Sequence, residues 1–457
     1  MNRLDRLEKL HPLKSIIIFS FPSIVALVLE SLTGIVDTAF AGNIGGGSTA
    51  ALSAMGALNP IMSMLVAIQL LFGLSTGILI AKSIGENNRE KSITIFRIGY
   101  LLTTITSITV SLIILIFMDP IISLLGASGE TFILAKKYLI IAIISNIFSS
   151  IGYMLVNIIR SIGHPTTEMI ICIVATIINV ALNYLFTIVL DFGITGIAVA
   201  TLCSEVLYFT WSLYYLKKIK FYYSPNIKLA IGNSKYSFDL FKIGFVQFLM
   251  QAMLSLTGMM ANIKLIEFGS LEYLACRAVL FSVLTLLIMP LAGLSGGIQN
   301  ILSFFIGRKN NTMLLRVLKY SLLISFIYGL GVYLLIIINP AVIIGTFTSS
   351  PEVVRLSSGI IGLFLISFPL SGVFYILITF MQVNELEKSA MILTILRQVI
   401  LFLPLIFILP ILFKNSPLGI NQGQSVFLAT PISDIIVILI SLIYLYKLSL
   451  KYKLKAA

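Results

Sequence analysis

Charge is what this chain has least of. Asp, Glu, Lys and Arg make up 11% of its 457 residues, less than half the roughly 25% of an ordinary soluble domain. With a mean hydropathy of +1.06, that scarcity argues against a soluble fold. Cysteine is equally sparse. Cys172, Cys203 and Cys276 lie in or beside apolar runs and make no spaced pair, so neither a disulfide framework nor a zinc site is indicated. The only two histidines, His11 and His164, fall at the ends of apolar runs on the expected cytoplasmic side, which argues against a histidine proton relay across the membrane. No D-x-x-x-D cluster is present, as a membrane-embedded prenyl transferase would need to hold Mg²⁺-pyrophosphate. The ten-residue alternating segments of a β-barrel are missing too.

What is present is a series of long apolar runs. Twelve spans are predicted, at 15–41, 50–80, 95–117, 132–159, 167–190, 193–216, 241–266, 273–305, 317–339, 356–381, 390–413 and 425–446. The fold class is therefore an all-α integral membrane protein. The net charge of +13 is explained by its distribution. With the N-terminus inside, 24 Lys and Arg fall on the cytoplasmic side, six fall outside (Lys136, Lys137, Lys264, Arg277, Arg355 and Lys414), and Arg397 sits within a span. This bias places both termini in the cytoplasm and removes the case for a nucleic-acid partner. The first span contains Glu30 and Asp37, is too long for a signal peptide and lacks an A-x-A site. It is expected to remain in the mature protein.

The second half is a worn copy of the first. SLTG at Ser31–Gly34 recurs at Ser255–Gly258, GLSTG at Gly73–Gly77 as GLSGG at Gly293–Gly297, IGENN at Ile84–Asn88 as IGRKN at Ile306–Asn310, and ATLCSE at Ala200–Glu205 as ATPISD at Ala429–Asp434. Six spans per copy insert the halves in the same orientation, related by an axis along the membrane normal. The expected organisation is an N-terminal lobe over 1–216, a cytoplasmic linker over 217–240 and a C-terminal lobe over 241–457, facing one another across a central cavity. Ser224-Pro225-Asn226 and Gly232-Asn233-Ser234 mark turns in the linker, and Gly45-Gly46-Gly47 marks one after the first span. Pro22, Pro60, Pro290, Pro369 and Pro404 mark kinks.

Acids within the spans are the informative residues, because an Asp at a helix centre costs about 2.5–3.5 kcal/mol on insertion scales. Glu30 and Asp37 share a helix face, as do Asn179 with Asn183 and Thr201 with Glu205. Asp37, Asn179, Asn183 and Thr201 offer an oxygen cage for a hard cation such as Na⁺, or a polar nest around one protonatable Asp. Packing hydrogen bonds are the competing reading for the Asn and Thr residues. Glu30 and Glu205 are candidates to ligate a cation, to bind a cationic substrate or to pair with a polar group. Gln247 and Gln251, with Met55, Met62, Met250 and Met253, are candidate substrate contacts. Asp434 reads as an interfacial or capping acid, and Arg397 has no partner that the sequence names.

At these residues the chain resembles the MATE family, the multidrug and toxic compound extrusion transporters, over essentially its whole length. The pieces are Pro22 with VDTAFAG at Val36–Gly42, the IGENN turn, RSIGHP at Arg160–Pro165, INVALN through GITGIAVAT over Ile178–Thr201, LRQ at Leu396–Gln398 and TPISD at Thr430–Asp434. Their order and spacing are most similar to the prokaryotic DinF-like branch. The resemblance implies a two-lobe, twelve-helix exporter that exchanges cationic or amphiphilic compounds for Na⁺ or H⁺ by alternating access. It is expected to act as a monomer in a bacterial or archaeal cell membrane, with no cofactor beyond the coupling ion. It also implies a cation site in the N-lobe at Asp37, Asn179, Asn183 and Thr201, where Asn183 replaces the family's usual Asp and removes one formal charge. The rival readings are a lipid-linked glycan flippase, whose cavity should carry several cationic residues, and the membrane-embedded enzyme already disfavoured.

Overall fold

In the computed structural model, residues 7–43, 49–224, 228, 232–268, 271–347, 350–414 and 421–454 are described. The Gly45–Gly47 turn and the Pro225-Asn226 step lie outside them. The helices are α1 (Pro12–Asn43), α2 (Thr49–Gly85), α3 (Arg89–Ile116), α4 (Gly129–Ser161), α5 (Pro165–Asn183), α6 (Gly193–Lys218), α7 (Ser234–Phe268), α8 (Leu271–Gly307), α9 (Asn311–Ile338), α10 (Pro351–Phe364 and Phe368–Val383), α11 (Glu387–Ile395 and Phe402–Leu412) and α12 (Ala429–Leu454). Among the described residues, eleven helices are long and apolar enough to cross a membrane. The two pieces of α10, bent by 53° at the break before Pro369, make a twelfth span. Their outer surfaces are apolar, with Ile17, Phe21, Ile116, Ile177 and Leu335 exposed, because lipid rather than water is the solvent there.

The duplicated motifs have a physical explanation. Asn87 and Lys309 both take a φ of 57°. The Asn that follows each then caps the next helix: Asn88 Oδ1 accepts from the Lys91 N–H at 2.9 Å, and Asn310 Oδ1 accepts from the Met313 N–H at 3.1 Å. The two copies meet at this point. A Cβ on Gly307 would lie 2.9 Å from Gly85 Cα, so the ends of α2 and α8 touch backbone to backbone where only glycine fits. Gly244 of α7 lies against the Leu71 carbonyl of α2 in the same way.

These contacts lie at the face where α1 begins, which is also the face rich in Lys and Arg. There the largest apolar cluster runs across both lobes, through Leu7, Ile84, Phe96, Ile159, Phe304, Phe305 and Phe380. Towards the opposite face each lobe keeps its own core, around Ala41, Ile122 and Ile194 in one and Leu265, Ile344 and Phe427 in the other. The seam is further held by Ser161 Oγ donating to Asn300 Oδ1 at 2.8 Å and by Arg308 Nε on Glu8 Oε1 at 3.1 Å. The seam also includes an ion pair between Lys82 and Glu385.

The Lys82 ammonium holds the Glu385 carboxyl below its ordinary value. The pair therefore contributes above that ordinary value, and its contribution is lost as pH falls through the lowered one. Both ends see water, so the contribution is small, under about 1 kcal/mol. Wild type and Glu385→Gln should differ slightly in thermal midpoint at neutral pH and converge in acid; a difference that grows on acidification would contradict this sign.

Candidate functional site

The N-lobe polar residues converge just ahead of a change in the winding of α5. After Asn183 the backbone widens into a π turn over Tyr184–Val189, with the Leu190 N–H reaching the Leu185 carbonyl at 2.9 Å. Such turns rotate a helix face locally and recur at functional sites. Asn183, fully buried, donates from Nδ2 to Asp37 Oδ1 at 2.6 Å and to Asn179 Oδ1 at 3.0 Å. The Thr201 hydroxyl donates to Asp37 Oδ2 at 3.1 Å. Asn179 Nδ2 donates to Ser204 Oγ at 3.3 Å. Ser204 is a partner that the sequence reading did not name. One atom in this cluster, Asn183 Oδ1, is buried without a partner.

The four residues expected to form a cage thus sit together, drawn from α1, α5 and α6. The donor set is one carboxylate with neutral amide and hydroxyl oxygens. That set fits a hard monovalent cation, and the orphaned Asn183 oxygen is an acceptor such an ion could use. Among the described residues no three His, Cys, Asp or Glu come together to hold a metal ion. Because Asn183 brings an N–H where a second carboxylate would bring charge, the cluster also satisfies Asp37 by hydrogen bonds alone.

Between the lobes lies a cavity of about 580 Å³. Its N-lobe wall carries Glu30, Arg160 and Glu168, and its C-lobe wall carries Gln247, Gln251, Arg277, Arg397 and Asp434. Gln247 donates from Nε2 to Gln382 Oε1 at 3.1 Å. Of the methionines singled out, Met250 lines this cavity, Met62 lines a smaller adjoining one, and Met55 packs against the N-lobe core. Glu30 faces both cavities, while Glu205 faces only the smaller.

Three expectations change. Asp434 is no interfacial cap: it is buried and held by Arg397, Nε to Oδ1 at 2.6 Å and Nη2 to Oδ2 at 3.1 Å. The Ser367 hydroxyl adds a bond to Oδ2 at 3.3 Å, and the guanidinium lies 4.7 Å from the Phe374 ring centre. Arg397 sits in a second π turn, Leu396–Leu401, between the two pieces of α11. Arg160, counted with the cytoplasmic charges, is instead buried, with Nη1 on Glu168 Oε1 at 3.1 Å and on Ser23 Oγ at 3.1 Å. The sequence named neither residue as a candidate site residue, nor their pairing. They stand at the ends of adjacent spans, where charged residues ordinarily face water. The α7 helix begins at Ser234, several residues ahead of the expected span, because its first turns extend beyond the apolar run.

Two six-helix lobes around a shared cavity, with ionisable side chains buried at membrane depth, define a polytopic transporter rather than an enzyme. Residues 22–185 and 245–408 each match the MatE family, one match per lobe, and the chain belongs to that family. It is 26% identical over 412 residues to the "Multidrug export protein MepA" of Staphylococcus aureus (strain NCTC 8325 / PS 47), covering 89% of each chain. It is 25% identical over 402 residues to the protein of the same name from Staphylococcus haemolyticus (strain JCSC1435), covering 88% and 87%. Its fold matches a solved structure described as the outward-facing conformation of a multidrug resistance MATE family transporter, with a TM-score of 0.90, 20% identity and 98% of each chain covered. A transporter from Pyrococcus furiosus, described as having a binding pocket of reverse polarity, matches with a TM-score of 0.89 at 20% identity over 98% of each chain.

Proposed function

We propose that the chain exports cationic or amphiphilic organic compounds by antiport with Na⁺ or H⁺, alternating access between the two faces of the membrane. The observation that carries this reading is the Asp37 cluster, a carboxylate buried among neutral oxygens beside an acceptor with no partner. Asp37, Asn179, Asn183 and Thr201 hold the coupling ion. The substrate occupies the central cavity, with Glu30 the exposed carboxylate on its wall and Gln251 and Met250 facing it. The relatives named as multidrug export proteins support the substrate class. The basic face is the cytoplasmic one on the Lys and Arg bias, so the closed seam lies inside and the cavity is presented outward. Exchange follows if ion and substrate differ in affinity for the two arrangements of the lobes.

The flippase reading is weaker. Of the three arginines on the cavity wall, Arg160 and Arg397 are neutralised by Glu168 and Asp434, leaving Arg277, which donates to Asn262 Oδ1 at 2.5 Å. A phosphate-bearing head group would meet little net positive charge. The test is ethidium transport in proteoliposomes under separately imposed Na⁺ and H⁺ gradients. Transport should accelerate under one of them; a rate indifferent to both would reject antiport.

A further inference from the structure

The smaller cavity, about 280 Å³, lies within the N-lobe beside the Asp37 cluster, and Asn179 and Thr201 form part of its wall. Two carboxylates, Glu30 and Glu205, face it, and no Lys, Arg or His is among its lining residues. No described residue makes an ion pair with Glu205. A carboxylate at membrane depth without a basic partner needs either a proton or a bound cation. Glu30 also opens onto the central cavity and is exposed there, whereas Glu205 faces the smaller space alone.

The wall around Glu205 supplies neutral oxygens: Gln69, Ser145, Asn146, Ser149 and Ser204. Ser149 Oγ donates weakly to Gln69 Oε1 at 3.5 Å. Asn146 is 7% exposed, and its amide nitrogen has no hydrogen-bond partner. A buried amide left in that condition points to an occupant of the space it lines. Asn146 Oδ1 accepts from Ser150 Oγ at 3.5 Å; a half-turn about the terminal bond would bring that oxygen to the cavity, where it serves a cation directly or through water. Glu205 stands four residues from Thr201 on α6, about 6 Å along the helix axis. That is close enough for the two sites to adjoin and far enough to hold separate ions.

We infer that Glu205, with Gln69, Asn146 and Ser149, forms a second monovalent-cation site in the N-lobe, so that each transport cycle moves two cations. The inference rests on the reading of the Asp37 cluster as the coupling site. The cation is Na⁺ or a proton; the remaining titratable groups on the cavity wall are Glu30, Cys172, Tyr138 and Tyr208. The site adds a second carboxylate one helical turn from Thr201 on α6.

The test counts cations on the purified full-length protein. Radioactive Na⁺ bound at saturation is measured by scintillation proximity, and protons released on adding ethidium are measured with an indicator dye in weak buffer. The wild type should show two cations in total, Glu205→Gln one, Asp37→Asn one and the double variant none. Glu205→Asp should keep both with weaker affinity, which separates loss of a ligand from loss of fold. A wild-type count of one, or a Glu205→Gln count equal to wild type, overturns the inference. An Asp37→Asn protein that keeps both cations would instead overturn the Asp37 assignment, with the Glu205 arm still read independently.

Discussion

An Asp37→Asn variant is expected to lose gradient-driven ethidium efflux by about 10- to 100-fold while binding ethidium almost as well as the wild type. The side chain is nearly isosteric and keeps an oxygen to accept from Asn183 or Thr201, so the packing of α1 against α5 and α6 survives. What it loses is the carboxylate of the cluster, and with it the charge proposed to hold the coupling ion. Coupling energies between sites run at about 1–3 kcal/mol, a factor of about 5 to 150. On that proposal, removing the carboxylate forfeits that factor in the driven rate. Asp37 does not line the central cavity, so substrate affinity should change little. The measurement is efflux from proteoliposomes with and without an imposed gradient, beside ethidium binding by fluorescence polarisation. Full driven efflux in the variant would remove Asp37 from the mechanism.

The second large effect is expected in the other lobe. Arg397→Met should destabilise the protein by about 3 kcal/mol, because it leaves Asp434 buried with only the Ser367 hydroxyl as a partner. Breaking one side of a buried pair strands the other charge, whereas removing both is far milder. Arg397→Met with Asp434→Leu should therefore recover most of the loss, and the non-additivity itself measures the pair. Thermal denaturation of the purified wild type, single and double variants decides this. If the double variant is as unstable as the single one, the pair is not what holds α11 to α12. The comparison also bears on function: the C-lobe carries a permanent cation, the Arg397 guanidinium, near the counterpart of the N-lobe site. Arg397 already neutralises the acid that mirrors Glu205, whereas no described residue makes an ion pair with Glu205 itself.

Much of this was legible in the residues. Apolar runs and their charge bias determined the spans, because each helix satisfies its own backbone and must be apolar for about 20 residues to cross. The repeated motifs marked two copies of one unit, and each copy matches the MatE family separately. Helical periodicity placed Asn179 with Asn183, and Thr201 with Glu205, on common faces. The cost of burying an acid marked Asp37 as unusual before any contact was known.

Partners across helices were not legible. Asp37 meets Asn183 at a separation of 146 residues and Asp434 meets Arg397 at 37. Both encounters depend on helix rotation, and for Arg397 a π turn in α11 alters that rotation locally. Arg160 and Glu168 looked like ordinary charges at span ends, and only the packing of α4 and α5 against α1 buried them. The sequence by itself determined the class of fold, its duplication and which polar residues are costly. Tertiary structure alone decided which of those residues neutralise one another and which are left for a ligand. Periodicity reports the face of one helix, while an ion pair requires the distance between two.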